Sequence, residues 1–236
     1  MNKKLCILTG VGPERGTGAE IARYFSENDY HVAMIARTKE NLKYLEKKYP
    51  NTSAYPCDVG IMEEFEETIN KIQVELGSAD VIIHNAPLGT RGPILDLNYK
   101  DLENNFRVNT TAFLVLSQLT LPTMLEQGSG TIIVTGNTAA ERGKAGWGFF
   151  AASKSAQKIL AESMAREFGP KGIHVAYIII DALIDTPRTR PRLAPDKPDH
   201  FFASPTHIAK EIFNVVKQDR SAWSFRVELR PYGEYW

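Results

Sequence analysis

Leu5-Cys6-Ile7-Leu8-Thr9-Gly10-Val11-Gly12-Pro13-Glu14-Arg15-Gly16-Thr17-Gly18-Ala19-Glu20-Ile21-Ala22-Arg23-Tyr24-Phe25 is the stretch that decides how this chain is read. The apolar run 5–8 is short enough for a buried strand, and Ile21, Ala22 and Phe25 recur at helical spacing. A glycine-rich turn therefore joins a strand to a helix. Glycines let the backbone approach a pyrophosphate closely, and the free N–H groups at a helix start attract its charge. A plain surface turn is the competing reading of the glycines alone. A second apolar run, 31–36, completes a strand–helix–strand unit and favours a nucleotide-binding front end.

The end of that second strand bears on which nucleotide is bound. A carboxylate there would hydrogen-bond the adenosine ribose of NAD, whereas an arginine suits the 2′-phosphate of NADP. The strand ends Ile35-Ala36-Arg37-Thr38 with no acid, and Arg15 stands directly before Gly16. Two cations and no acid favour NADP(H) over NAD(H); the alternative is that both arginines are merely solvated.

The 236 residues fit one α/β domain with a substantial core. Lys+Arg and Asp+Glu are each 28, so no whole-protein field draws the chain to nucleic acid or an anionic membrane. Cys6 and Cys57 read as small buried hydrophobes rather than a disulfide framework. No uninterrupted apolar stretch approaches a membrane span, and the amino terminus lacks a signal-peptide pattern, so a cytoplasmic protein is expected. No His/Cys/Asp cluster has metal-ligand spacing, and no metal is expected.

Beyond the second strand the elements keep alternating. Helices are expected over 41–48, 62–76, about 99–127, 147–168 and from Ser204-Pro205, read as a cap, to about 218. Strands are expected at 52–56, 79–83, 130–135, 173–180 and 225–229. The segment 181–204, with four prolines, reads as a loop poised over a ligand. Alternation of this kind predicts a Rossmann-like, doubly wound parallel sheet of about seven strands with helices on both faces. Its ligand belongs at the carboxyl ends of the strands.

The chain as a whole resembles the short-chain dehydrogenase/reductases. Thr9-Gly10 to Gly16-Thr17-Gly18 resembles the family's TGxxxGxG turn with two extra residues, and Gly12 lies within it. Asp58 and Val59 match the family's adenine-contacting Asp and its neighbour, and His84-Asn85-Ala86-Pro87 resembles NNAG. Asn109 matches the structural and catalytic Asn, and Thr186 resembles the Thr that holds the nicotinamide carboxamide. Lys154, in Phe150-Ala151-Ala152-Ser153-Lys154-Ser155-Ala156, resembles the Lys of YxASKxA, which binds the nicotinamide ribose. Here Phe150 stands where the family has its catalytic Tyr, Asn137 or Thr138 where it has Ser, and Asp181-Ala182 where it has Pro-Gly.

Hydride transfer to a carbonyl leaves an oxygen that needs a proton, which a phenol beside a lysine supplies and a phenyl ring does not. The remaining candidates are Lys154 acting through a water, Asn137 and Thr138 polarising the carbonyl, and Asp181 as a site acid or a turn cap. The resemblance implies reduction of a carbonyl or an activated C=C; the alternative is a non-catalytic NADP(H)-binding sensor or scaffold. Trp147, Phe149 and Phe150 read as core aromatics or pocket walls, and Arg142, Lys144, Arg188, Arg190 and Arg192 as contacts for an acidic group. The aromatic tail 230–236 and the two long helices point to a homodimer or homotetramer.

Overall fold

A computed structural model describes residues 3–234, which leaves the tail aromatics Tyr235 and Trp236 outside the described residues. Seven strands form one parallel sheet: β1 (Lys4–Thr9), β2 (Tyr30–Ala36), β3 (Thr52–Pro56), β4 (Val81–His84), β5 (Gly130–Gly136), β6 (Ile173–Ile180) and β7 (Arg226–Leu229). Their order is β3-β2-β1-β4-β5-β6-β7. The chain winds outward from β1 in one direction, then restarts at β4 on its other side. At that switch Thr9 is in register with both Ile35 and His84, which leaves a crevice at the strand ends.

The continuous apolar runs follow from burial on both faces. Leu5 and Ile7 of β1 face a core filled by α3 (Met62–Leu76), α5 (Ala112–Gln127) and α6 (Gly148–Phe168). Cys6 and Leu8 face the opposite core, under α1 (Thr17–Glu27), α2 (Lys39–Lys48) and α8 (Pro205–Val216). All eight residues of β6 are buried. Edge strand β7 alternates exposed and half-buried positions, because only one of its faces is covered. On the α1/α8 side, Phe25 packs edge-on against Phe213 at 5.1 Å, and burying a ring of that size contributes about 2–3 kcal/mol.

Several sequence expectations change in detail. The helix expected over 99–127 is α4 (Tyr99–Phe106), a π-helical turn (Arg107–Thr111) and then α5. An 18-residue window of this stretch reaches a mean hydropathy of 1.2, long and apolar enough by composition to cross a membrane. Polar residues such as Ser117, Gln118 and Thr120 interrupt it, and Phe113, Leu116 and Met124 lie in the sheet core. Ser204 occupies the N-cap of α8 but makes no side-chain cap bond. The segment 181–204 carries a short helix, α7 (Thr189–Leu193), and is pinned by a bridge between Ile184 and Ala203.

Candidate active site

The turn after β1 is built for close approach. Gly10 has φ 74°, and a Cβ there would lie 2.5 Å from the Ala86 backbone nitrogen. A Cβ on Gly18 would collide with the Gly10 carbonyl, so α1 begins hard against the turn. Asn85 ties the strand ends together: its Nδ2 donates to Gly10 O at 3.0 Å and its Oδ1 accepts from Thr135 Oγ1 at 3.0 Å. His84 sits beneath, with Nε2 3.0 Å from Val108 O and Nδ1 3.1 Å from Thr9 Oγ1. A carbonyl only accepts, so Nε2 carries the proton and Nδ1 accepts from Thr9. Burial and then the charge of Lys154 push the ring down to about 3, and it is neutral at working pH.

Above this turn lies a cleft of about 1090 Å³, lined among others by Gly10, Gly12, Arg37, Asp58, Val59 and Ala86. Nothing stands within 4 Å of where a Gly12 Cβ would be, and α1 starts at Gly16 without a side-chain cap. Open space over unsatisfied helix N–H groups fits the pyrophosphate of a dinucleotide. Asp58 Oδ1 accepts from Gly60 N at 2.9 Å and Oδ2 lies 3.9 Å from Arg37, whose side chain is 74% exposed. The two extra turn residues bring Glu14 to α2, where it accepts from Tyr44 Oη at 2.7 Å and pairs with Lys48. Arg15 does not line the cleft beside Arg37; its charge helps hold the Asp185 carboxyl low, after the hydrogen bond and charge of Arg190. Gly16 and Thr17 form the helix entry.

Lys154 is the centre of a second polar cluster, at the end of β5 and outside the lining of that cleft. It is 3% exposed, and Nζ donates to Thr135 O at 2.9 Å and to Gln157 Oε1. Gln157 in turn donates through Nε2 to Asn109 O, which the π-helical turn frees from the ordinary helical ladder. Without a neighbouring carboxylate, burial pushes the Lys154 ammonium down to about 7. Asn109 clamps the loop after β4: Leu88 N donates to Oδ1 at 2.9 Å, while Nδ2 reaches Leu88 O and Ser153 Oγ, each at 2.8 Å. Phe150 is buried, with its ring facing Gly89 and 6.0 Å from the Trp147 ring.

The short chain dehydrogenase family profile matches residues 4–196. The chain belongs to the short-chain dehydrogenase/reductase family. It is 25% identical over 218 residues to carbonyl reductase family member 4 of Xenopus tropicalis, covering 91% of each chain. Among solved structures it is similar to a short-chain dehydrogenase of Rhodopseudomonas palustris, with 29% identity, TM-score 0.80, and coverage of 97% of this chain and 99% of that one. It also shares the fold of an alcohol dehydrogenase from the archaeon Thermococcus sibiricus, complexed with 5-hydroxy-NADP (23% identity, TM-score 0.84, 98% of each chain). A chain of this family is an oxidoreductase by type.

Within this family member, the polar candidates near Lys154 divide sharply. Asp181, weighed as a site acid, has both oxygens engaged: Oδ1 accepts from Thr138 Oγ1 at 3.1 Å and Oδ2 pairs with Arg230 at 2.5 Å. That bond spends the Thr138 proton on Asp181. Asn137 accepts from Ala139 N through Oδ1, and its Nδ2 donors have no partner among the described residues. Thr186 donates to Thr189 Oγ1 at 2.8 Å and accepts from Thr189 N at 3.0 Å, and it does not line the cleft. Arg190 is spent on Asp185 and Asp199, and Arg142 and Lys144 are exposed. Sequence reasoning missed Gln157. Gln157 lies three residues after Lys154 on one helix face, a spacing that could have flagged it.

Proposed function

We propose that this chain is an NADP(H)-dependent reductase of a carbonyl or an activated C=C, with Lys154 as the proton source in place of the absent phenol. The observation that carries the reading is Lys154 itself: buried, without an anionic partner and poised near neutrality. Gly10, Gly12 and the start of α1 would hold the pyrophosphate, Asp58 and Val59 the adenine side, and Arg37 the 2′-phosphate. Lys154, Asn85, Ala86 and Thr186 are proposed for the nicotinamide side, with Thr186 first releasing Thr189. The bound cofactor supplies hydride. Asn137 Nδ2 donates to the carbonyl oxygen and polarises it, and the Lys154 ammonium gives that oxygen its proton, recovering one from solvent afterwards. Thr138 joins only by leaving Asp181.

The test is oxidation of NADPH and NADH against aldehydes, ketones, quinones and enoyl thioesters. Arg37→Ala is expected to weaken NADPH binding about tenfold while leaving NADH unchanged, the size of one charge-assisted bond. Equal binding of both cofactors by wild type would remove the NADP assignment. The bridge from Lys154 through Gln157 to Asn109 supports a second reading, a cofactor-binding sensor, since it ties up donors that turnover needs. Exposed Ile94 and Leu95 before α4, Tyr99 on α4 and Ile159 on α6, with Tyr232, support the homo-oligomer, which light scattering tests.

A further inference from the structure

The residues that lengthen the glycine turn tie it to the facing wall of the cleft. Pro13 O accepts from Gly16 N at 2.9 Å, so 13–16 closes as one turn with Glu14 and Arg15 at its corner. Arg15 takes a φ of 66°, uncommon for a residue with a long side chain, so the turn needs contacts that hold it. Glu14 supplies them. Tyr44 Oη on α2 donates to its Oε2 at 2.7 Å, and Lys48 pairs with its Oε1. Lys48 Nζ also donates to Tyr44 Oη at 3.4 Å, so each of the three side chains contacts the other two. The hydrogen bonds from Lys48 and then Tyr44 hold the Glu14 carboxyl below its usual range, which keeps it ionised at neutral pH.

This triangle stands at the rim of the cleft. Pro13 lines the cleft from the turn, while Asn41 and Tyr44 line it from α2, three residues apart on one helix face. The bond between Glu14 and Tyr44 therefore joins the turn wall to the helix wall. Tyr44 is 49% exposed although its hydroxyl is fixed and Lys48 Nζ lies 5.6 Å from its ring centroid. A pinned, half-exposed ring in the wall of a dinucleotide-sized cleft is apolar surface for a ligand to cover.

We infer that Tyr44 is a further cofactor-binding residue, its ring covering the adenosine ribose of the dinucleotide, and that Glu14 and Lys48 are the positioning residues that hold the ring there. This rests on the assignment of the cleft to a dinucleotide made above. The surplus turn residues thus gain a role: they carry a side-chain strap to α2. A ring contact is indifferent to the 2′ substituent, so the strap acts on NADPH and NADH alike, whereas Arg37 is proposed to act on NADPH only.

The full chain is titrated calorimetrically with 2′,5′-ADP and 5′-AMP, which fill only the adenosine end, and release of NADPH and NADH is followed by stopped-flow fluorescence. Tyr44→Ala is expected to weaken both fragments about tenfold and to speed release of both dinucleotides by a similar factor. Tyr44→Phe keeps the ring and loses the bond to Glu14, and Glu14→Ala removes the other side of that bond. Each is expected to weaken both fragments about threefold. Glu14→Gln, whose amide oxygen still accepts from Tyr44, recovers most of that loss. Lys43→Gln, on α2 but outside the cleft lining, changes nothing. Glu14, Tyr44 and Lys48 lie outside both cores, so their variants keep the fold. Wild-type affinities and release rates in Tyr44→Ala overturn the inference. So does a loss confined to 2′,5′-ADP and NADPH, which would place the effect at the 2′-phosphate. Tighter NADPH binding by Glu14→Ala also overturns it, by making the carboxylate an obstacle. A wild type that binds neither fragment nor dinucleotide overturns it together with the cofactor assignment. Strap-dependent binding of both fragments in a chain that oxidises no NADPH upholds the inference and counts against the reductase reading alone.

Discussion

At the turn end of the cleft the contacts are made by backbone: Gly10 against Ala86, Gly18 against the Gly10 carbonyl, Asn85 stapling β1 to β5. At the Lys154 end they are made by side chains: Lys154 with Gln157, Thr138 with Asp181, Asp181 with Arg230. The first end tolerates two extra residues because its geometry is set at the glycines and the surplus is tied to α2 through Glu14. The second end lost one hydroxyl, and the polar groups around it are paired with one another. A backbone site constrains few side chains, whereas a chemical site changes character when a single oxygen is removed.

The largest expected effect lies at the node both ends share. His84 is neutral in the fold and pushed down to about 3, against an unfolded value near 6.5. Unfolding below that value lets the ring take a proton, so its contribution is complete above about pH 6.5 and is lost as pH falls toward 3. Linkage over that span amounts to about 5 kcal/mol, and urea titrations from pH 7 to 4 are expected to show most of the decline. His84→Gln should flatten that limb; an unchanged slope would mean the ring is not the node.

Gly10→Ala strikes the backbone end alone. The added Cβ meets Ala86 at 2.5 Å and φ is positive, so about 3 kcal/mol of stability and detectable NADPH binding should be lost together. Retained binding would show that the turn does not set the cofactor site. Gln157→Leu strikes the side-chain end alone. It leaves Asn109 O unpaired and Lys154 with one bond, at about 2 kcal/mol, while NADPH binding at the turn end survives. Equal damage to both ends from either variant would erase the distinction between them.

The sheet, its parallel sense and the glycine turn were legible in the sequence because strand runs, helical stripes and turns are local patterns. Asp58, Asn85 and Ala86 could be placed for the same reason, as each follows directly on a strand end. What was not legible joins residues far apart in the chain. Asp181 with Arg230, Glu14 with Tyr44 and Gln157 with the Asn109 carbonyl leave no periodic trace. The π-helical turn is hidden for a related reason: its residues are ordinary helix residues, and the gain that stabilises it is a bond to another helix. Arg15 shows the limit of adjacency, since one residue from Gly16, with φ 66°, it does not line the cleft beside Arg37.

The most direct test of the account is the pH dependence of kcat for NADPH oxidation by wild type beside Phe150→Tyr, on any substrate the panel yields. A proton given by Lys154 is available only below its value of about 7, so wild-type turnover should fall as pH rises through neutrality. The Tyr variant should be faster and hold its rate to higher pH. A wild-type profile flat through pH 7, or no wild-type turnover beside an active Tyr variant, would contradict Lys154 as the proton source.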